Sequence, residues 1–97
     1  MLNSKQRSNL RSLAANEEPI TQIGKNGVND ALIESLSSAI EKRELIKVTV
    51  LENSGLNAKD AGFIIAEKLG AEFVCATGRK IVFYRRSKSD KVKHIEF

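Results

Sequence analysis

Ala71-Glu72-Phe73-Val74-Cys75-Ala76-Thr77-Gly78-Arg79-Lys80-Ile81-Val82-Phe83-Tyr84-Arg85-Arg86 is the stretch that decides the fold. Two runs rich in β-branched and aromatic residues flank Thr77-Gly78, a tight-turn pair, and together they read as a β-hairpin. The first run, Ala71 to Ala76, places Phe73 and Cys75 on one face by the two-residue period of a strand. The second, Lys80 to Arg86, places Ile81 and Phe83 on one face and Val82 and Tyr84 on the other. An antiparallel hairpin at the end of an otherwise alternating chain turns a parallel sheet into a mixed one.

Upstream the chain does alternate. Residues 4 to 15 read as a helix capped by Asn3 or Ser4, with Gln6 in a capping-box position and Leu10, Leu13 and Ala14 as a narrow apolar stripe. Asn16 to Pro19 breaks it, because Pro19 cannot extend a helix and disfavours helical geometry at Glu18. Pro19 to Ile23 is a short strand. A helix from Asp30 to Arg43 follows, capped by Asn29, with Val28, Leu32, Leu36, Ala39 and Ile40 spaced by threes and fours. Leu45 to Leu51 is a β-branched strand covered in part on both faces. Asn57 caps a third helix whose inward stripe is Ala58, Ala61, Ile65 and Leu69, flanked by Ile64, and Gly70 stops it. The order is α-β-α-β-α-β-β. Two β-α-β crossovers, each expected to be right-handed, lead into the hairpin. The expected class is α/β (α+β): a single two-layer domain with helices packed on a mixed four-stranded sheet.

The chain has 97 residues, enough for one domain. The domain is expected over residues 1–87, with a basic tail over 88–97, and Ser87 to Phe97 is expected to be charged and frayed. No apolar run approaches the ~20 residues of a membrane span, and no apolar leader opens the chain. A single cysteine, Cys75, excludes an internal disulfide and argues against a cysteine-based zinc site. A reducing cytoplasm is the expected location. The formal net charge is +4, and its distribution says more than its sum. The first eleven residues carry Lys5, Arg7 and Arg11 and no acid. Asp30 to Glu72 holds eight acids and five bases, whereas Arg79 to Lys93 holds seven bases and one acid. Segregation of this kind suggests one positive face aimed at a polyanion. A solvated surface with a basic tail is the simpler alternative.

Gly24-Lys25-Asn26-Gly27 lies between the first strand and the second helix. Two glycines let a partner approach the backbone closely, and helix-start amides backed by the helix dipole suit a phosphate. KH-class RNA-binding modules use a GxxG loop in this way. Alone, the motif is also an ordinary turn.

Taken together, Gly24 to Gly27, Arg43-Glu44-Leu45-Ile46-Lys47-Val48, Thr77-Gly78-Arg79-Lys80-Ile81-Val82-Phe83-Tyr84-Arg85-Arg86, and the opening Ser4-Lys5-Gln6-Arg7 with Leu10-Arg11 and Leu13-Ala14 resemble one family. It is the chloroplast RNA splicing and ribosome maturation (CRM) domain, in its stand-alone bacterial YhbY-like form. The resemblance covers about residues 3 to 87. It implies a fold similar to the C-terminal domain of translation initiation factor three, with a KH-like loop. It also implies an RNA-binding protein associated with ribosomal RNA or precursors of the large ribosomal subunit. Phe83 departs from the aliphatic residue expected before Tyr84 and is expected to pack inward.

On this reading Gly24, Lys25, Asn26 and Gly27 hold RNA backbone. Lys5, Arg7 and Arg11 extend the positive track, and Arg79, Lys80, Arg85, Arg86 and Lys88 supply more of it. Such contacts position RNA and carry little sequence information. Tyr84, the only tyrosine, is expected half-buried under a helix and not stacked on a base. His94 reads as a solvated tail residue and Cys75 as packing. No catalytic set, metal site, cofactor or small-molecule substrate is expected, so the chain reads as a non-enzyme and a monomer. The alternatives are a protein-interaction adaptor docking on a ribosomal protein and an intron-splicing cofactor.

Overall fold

The computed structural model describes residues 2–97. In it the chain forms α1 (Ser4–Ala14), β1 (Thr21–Ile23), α2 (Asp30–Arg43), β2 (Leu45–Val50), a 3-10 turn (Glu52–Ser54), α3 (Ala58–Leu69), β3 (Glu72–Thr77) and β4 (Lys80–Tyr84). The caps read from sequence are in place. Asn3 Oδ1 accepts from the Gln6 amide while Gln6 Oε1 accepts from the Asn3 amide. Asn29 and Asn57 accept from the amides of Leu32 and Asp60. Gly70 ends α3 at φ 63°.

The sheet order is β1-β2-β4-β3. β1 runs parallel to β2, and β4 is antiparallel to both β2 and β3. β2 and β3 are therefore parallel but never touch, because the last strand inserts between them. The α+β class and the mixed four-stranded sheet are as expected.

The helices divide between the two faces. Leu36 and Ile40 of α2 and Ala61, Ile65 and Leu69 of α3 pack on Ile46, Val48, Val50, Ile81 and Phe83. On the other face Leu10 and Ala14 of α1 pack on Leu45, Val74, Val82 and Tyr84. The expected two layers thus gain a third, partial one. The cause is the alternation along β2 and β4, which leaves Leu45, Val82 and Tyr84 pointing away from α2 and α3. Burying such a side chain contributes roughly 1.5–3 kcal/mol.

A β-bulge corrects one expectation. Phe73 pairs with Phe83 and Cys75 with Val82, so Val74 is the extra residue. Phe73 joins the α3 side, its ring edge-on to Phe63 at 4.9 Å, while Cys75 joins the α1 side. The two do not share a face, because the inserted residue shifts the side-chain alternation by one. Phe83 is fully buried, as expected of an inward aromatic.

The tail corrects another. Residues after Tyr84 form no regular element, yet they are pinned rather than frayed. The amides of Ser87 and Ile95 donate to the Glu44 carboxylate, both at 2.7 Å, and Phe97 lies edge-on to Tyr84 at 4.8 Å. Ile95 and Phe97 pack on the α1-side cluster.

Candidate nucleic-acid interface

The loop is a β-turn standing beyond the end of β1. The Gly27 amide donates to the Gly24 carbonyl at 2.9 Å, and Lys25 and Asn26 occupy the exposed tip. Neither tip side chain has a partner among the described residues. The two glycines are not equivalent. Gly27 has φ 64°, which a side chain adopts only with strain. Gly24 has no such φ, and a Cβ there would meet only Asn53 Oδ1 at 3.8 Å and Leu51 Cδ1 at 4.0 Å. The fold demands glycine at 27 and has room for a side chain at 24. The helix start is less open than the sequence suggested. Asn29 already satisfies the Leu32 amide, and Asp30 sets a carboxylate in the first turn of α2.

The β3–β4 turn lies at the same end of the sheet, since Thr49 pairs with both Gln22 and Lys80. Lys80 is therefore about 10 Å from β1, two strand spacings away. Lys80 is exposed and projects with Val82 onto the α1 side, where it lines a groove with Arg11. Arg79 is spent inside the protein. Its Nε donates to the Val50 carbonyl and its Nη2 to the Leu56 carbonyl at 3.1 Å. It locks the turn to the segment after β2 and is not a free cation. Arg7, exposed on α1, donates to the Phe73 carbonyl at 3.0 Å. Lys5 is exposed in the first turn of α1.

Arg85, Arg86 and Lys88 are not brought to the loop. Arg85 follows Lys80 by five residues of strand, roughly 17 Å at ~3.4 Å per residue. That exceeds the Debye length of ~8 Å at physiological salt, so the two ends do not act as one field. Arg85 donates to the Leu69 carbonyl at 2.7 Å, the Ser37 carbonyl at 3.2 Å and Glu41 Oε2 at 3.3 Å. Each such charged hydrogen bond is worth ~1.5–3 kcal/mol, against ~1 kcal/mol or less for an exposed ion pair, so pulling Arg85 out to a phosphate costs more than it gains. Arg86 and Lys88 are exposed at this far end, and the Lys88 amide donates to Glu41 Oε1 at 2.6 Å. The expectation that all cationic flanks converge on the loop is corrected: Arg11 and Lys80 share its end of the sheet, and Arg85 to Lys88 do not.

The group that orders the far end is Glu44, which sequence reasoning missed. It terminates α2 with φ 65°, at a position that usually takes glycine, and its side chain is fully buried. Besides the Ser87 and Ile95 amides it meets His94 Nδ1 at 2.6 Å. An ionised carboxylate only accepts, so Nδ1 carries the proton. Burial pushes the Glu44 carboxyl up, but the His94 hydrogen bond and the two amides outweigh it and hold the group below 4.5. Glu41 is also lowered, chiefly by the Lys88 amide and the Ser87 hydroxyl. His94 is thus a clasp residue and not a solvated one. A lone tail histidine and a helix ending without glycine were the only signals for this pairing.

Tyr84 is buried beneath Phe97 and offers no face for a base. Cys75 is half-buried, and burial raises its thiol although Arg11 and Lys47 pull the other way. Among the described residues no group of three or more His, Cys, Asp or Glu is gathered for a metal. Among the same residues no helix is long and apolar enough to cross a membrane.

The family model described as the CRS1 / YhbY (CRM) domain matches residues 2–85. The chain is 42% identical over 91 residues to Probable RNA-binding protein YqeI of Bacillus subtilis, covering 94% of this chain and 95% of that protein. It is 30% identical over 95 residues to an RNA-binding protein of Haemophilus influenzae, covering 95% and 93%. The solution structure of SAV1595 from Staphylococcus aureus superposes with a TM-score of 0.75 at 38% identity, covering 98% of this chain and 100% of that one.

Proposed function

The chain belongs to the CRS1/YhbY (CRM) domain family, and from that premise we propose that it binds RNA through the Gly24–Gly27 turn. Lys25 and Asn26 contact the backbone, Gly24 lets it approach, and Arg11 and Lys80 continue the contact at the same end of the sheet. Arg7, which donates to the Phe73 carbonyl at the level of Phe83, stands off this track toward the far end, and Lys5 precedes it on α1. The ligand is ribosomal RNA or a precursor of the large ribosomal subunit, met in the cytoplasm during assembly. No chemistry on the RNA is assigned.

One observation carries the reading. The tip of the turn is exposed and has no partner among the described residues, beside a glycine at position 24 whose site has room for a side chain. A glycine there, with room for a side chain on its own protein, suits the close approach of a partner's backbone. Lys25→Asp with Asn26→Asp is expected to abolish binding to structured ribosomal RNA while circular dichroism stays native. Unchanged binding at moderate salt would remove the turn from the interface.

A further inference from the structure

Between the C-terminal half of α1 and strands β2, β3 and β4 runs a groove of about 300 Å³. The Val74 bulge creates part of it by turning Cys75 onto this face. Its floor is apolar, made by Ala14, Cys75 and Val82, and Arg11, Lys47 and Lys80 stand around it. No lining residue is acidic. Arg11 and Lys80 make no side-chain hydrogen bond or ion pair among the described residues. Lys47 is oriented from behind: its Nζ donates to the Ala14 carbonyl at 3.2 Å and the Glu17 carbonyl at 3.4 Å, which leaves a third N–H.

The volume stands at the small end of the ~300–1,000 Å³ range of ligand pockets. It is too large for a phosphate alone, which would leave the apolar floor bare. A flat apolar body carrying one anionic group fits both parts. In RNA that unit is a single unstacked nucleotide, the form in which bases become accessible to proteins. The Lys80 end of the groove adjoins the loop end of the sheet, so one strand can meet both. We propose that the α1 groove holds one unstacked nucleotide of the RNA, with its base on the floor and its phosphate between Arg11 and Lys80. This rests on the RNA-binding reading above and adds to it a position where the RNA must be unpaired.

Cys75, the chain's only cysteine, lines the groove and reports on its occupancy. The experiment measures alkylation of Cys75 by iodoacetamide in the full chain, with RNA binding followed separately by fluorescence anisotropy. The probes are a hairpin RNA with a single-stranded loop and a fully paired duplex. With the hairpin at about ten times its Kd, alkylation slows about tenfold, and the duplex, though bound, gives no protection. Arg11→Glu with Lys80→Glu, both at exposed positions, removes the protection while loop-dependent hairpin binding persists in weakened form. Hairpin binding that is lost on Lys25→Asp but never protects Cys75 overturns the groove and leaves the loop reading intact. Equal protection by duplex and hairpin means shielding from above and also overturns it. No RNA binding at all overturns both readings.

Discussion

The two ends of the sheet hold the same kinds of residue and use them in opposite ways. At the loop end Lys25, Asn26, Arg11 and Lys80 are exposed and lack hydrogen-bond or ion-pair partners among the described residues. At the far end Arg85, Ser87, His94 and Ile95 are drawn onto Glu41 and Glu44 at the end of α2. Both ends read as cationic flanks in the sequence. What separates them is the acceptor nearby. α2 ends in two carboxylates, one of them wholly buried, and a buried carboxylate requires donors. Arg85, Ser87, His94 and the Ile95 amide are consumed in meeting that need, whereas Arg86 and the Lys88 side chain stay exposed there. Among the described residues the loop end has no buried carboxylate to serve; Arg79 is held by the Val50 and Leu56 carbonyls, and Lys25, Arg11 and Lys80 remain available to a ligand.

Breaking the far end gives the largest expected effect. Glu44→Ala removes the acceptor of Ser87, His94 and Ile95 and should cost about 2–4 kcal/mol, read as a lower urea midpoint. Hydrogen exchange at the Ile95 amide should accelerate with it. Glu44→Gly suits the φ of 65° and should recover about 1 kcal/mol of that loss. RNA affinity at a temperature where the variants stay folded should be unchanged; a parallel fall in affinity would merge the two ends. Reversing the loop comes next. Lys25→Asp with Asn26→Asp should lower affinity by roughly 100-fold or more at 0.15 M salt, which abolishes detectable binding. Its cost in stability should be about 0.5 kcal/mol or less, the usual range for surface changes.

Acid separates the ends more gently. Glu41 and Glu44 titrate below 4.5 in the folded chain, so the unfolded chain takes up protons first as pH falls. Their stabilisation is complete above about 4.5 and is lost as pH drops through the lowered folded values. Urea midpoints should decline over that window in the parent protein and decline less in Glu44→Gln; equal declines would mean the clasp is not electrostatic. Gly24→Ala is the smallest and most selective change. It should leave thermal unfolding within error and weaken RNA binding by a few-fold, because ~3.8 Å of clearance admits the methyl but a backbone pressed against the turn does not.

Much of the fold was legible because local signals agreed with the tertiary need. Asn3, Asn29, Asn57 and Gly70 cap where their chemistry says, and the alternation of Ile81, Val82, Phe83 and Tyr84 sorts them between the two faces as read. The bulge at Val74 was not legible, since one extra residue in a strand leaves no mark in a short apolar run. Nor was the clasp: Glu44 and His94 are fifty residues apart, and the tail's composition reads as solvated charge. The same blindness affected the site. The turn was visible from its glycines, but whether an arginine is free depends on carbonyls such as those of Val50, Leu56 and Leu69, which sequence pattern does not place beside it.

The salt dependence of RNA binding, compared between two exposed cations, tests the division most directly. Lys25→Ala should reduce the slope of log affinity against log salt by about 0.7–0.9, the release from one phosphate contact, and Arg86→Ala should leave it unchanged. A slope reduced by Arg86→Ala and untouched by Lys25→Ala would place the RNA at the wrong end of the sheet.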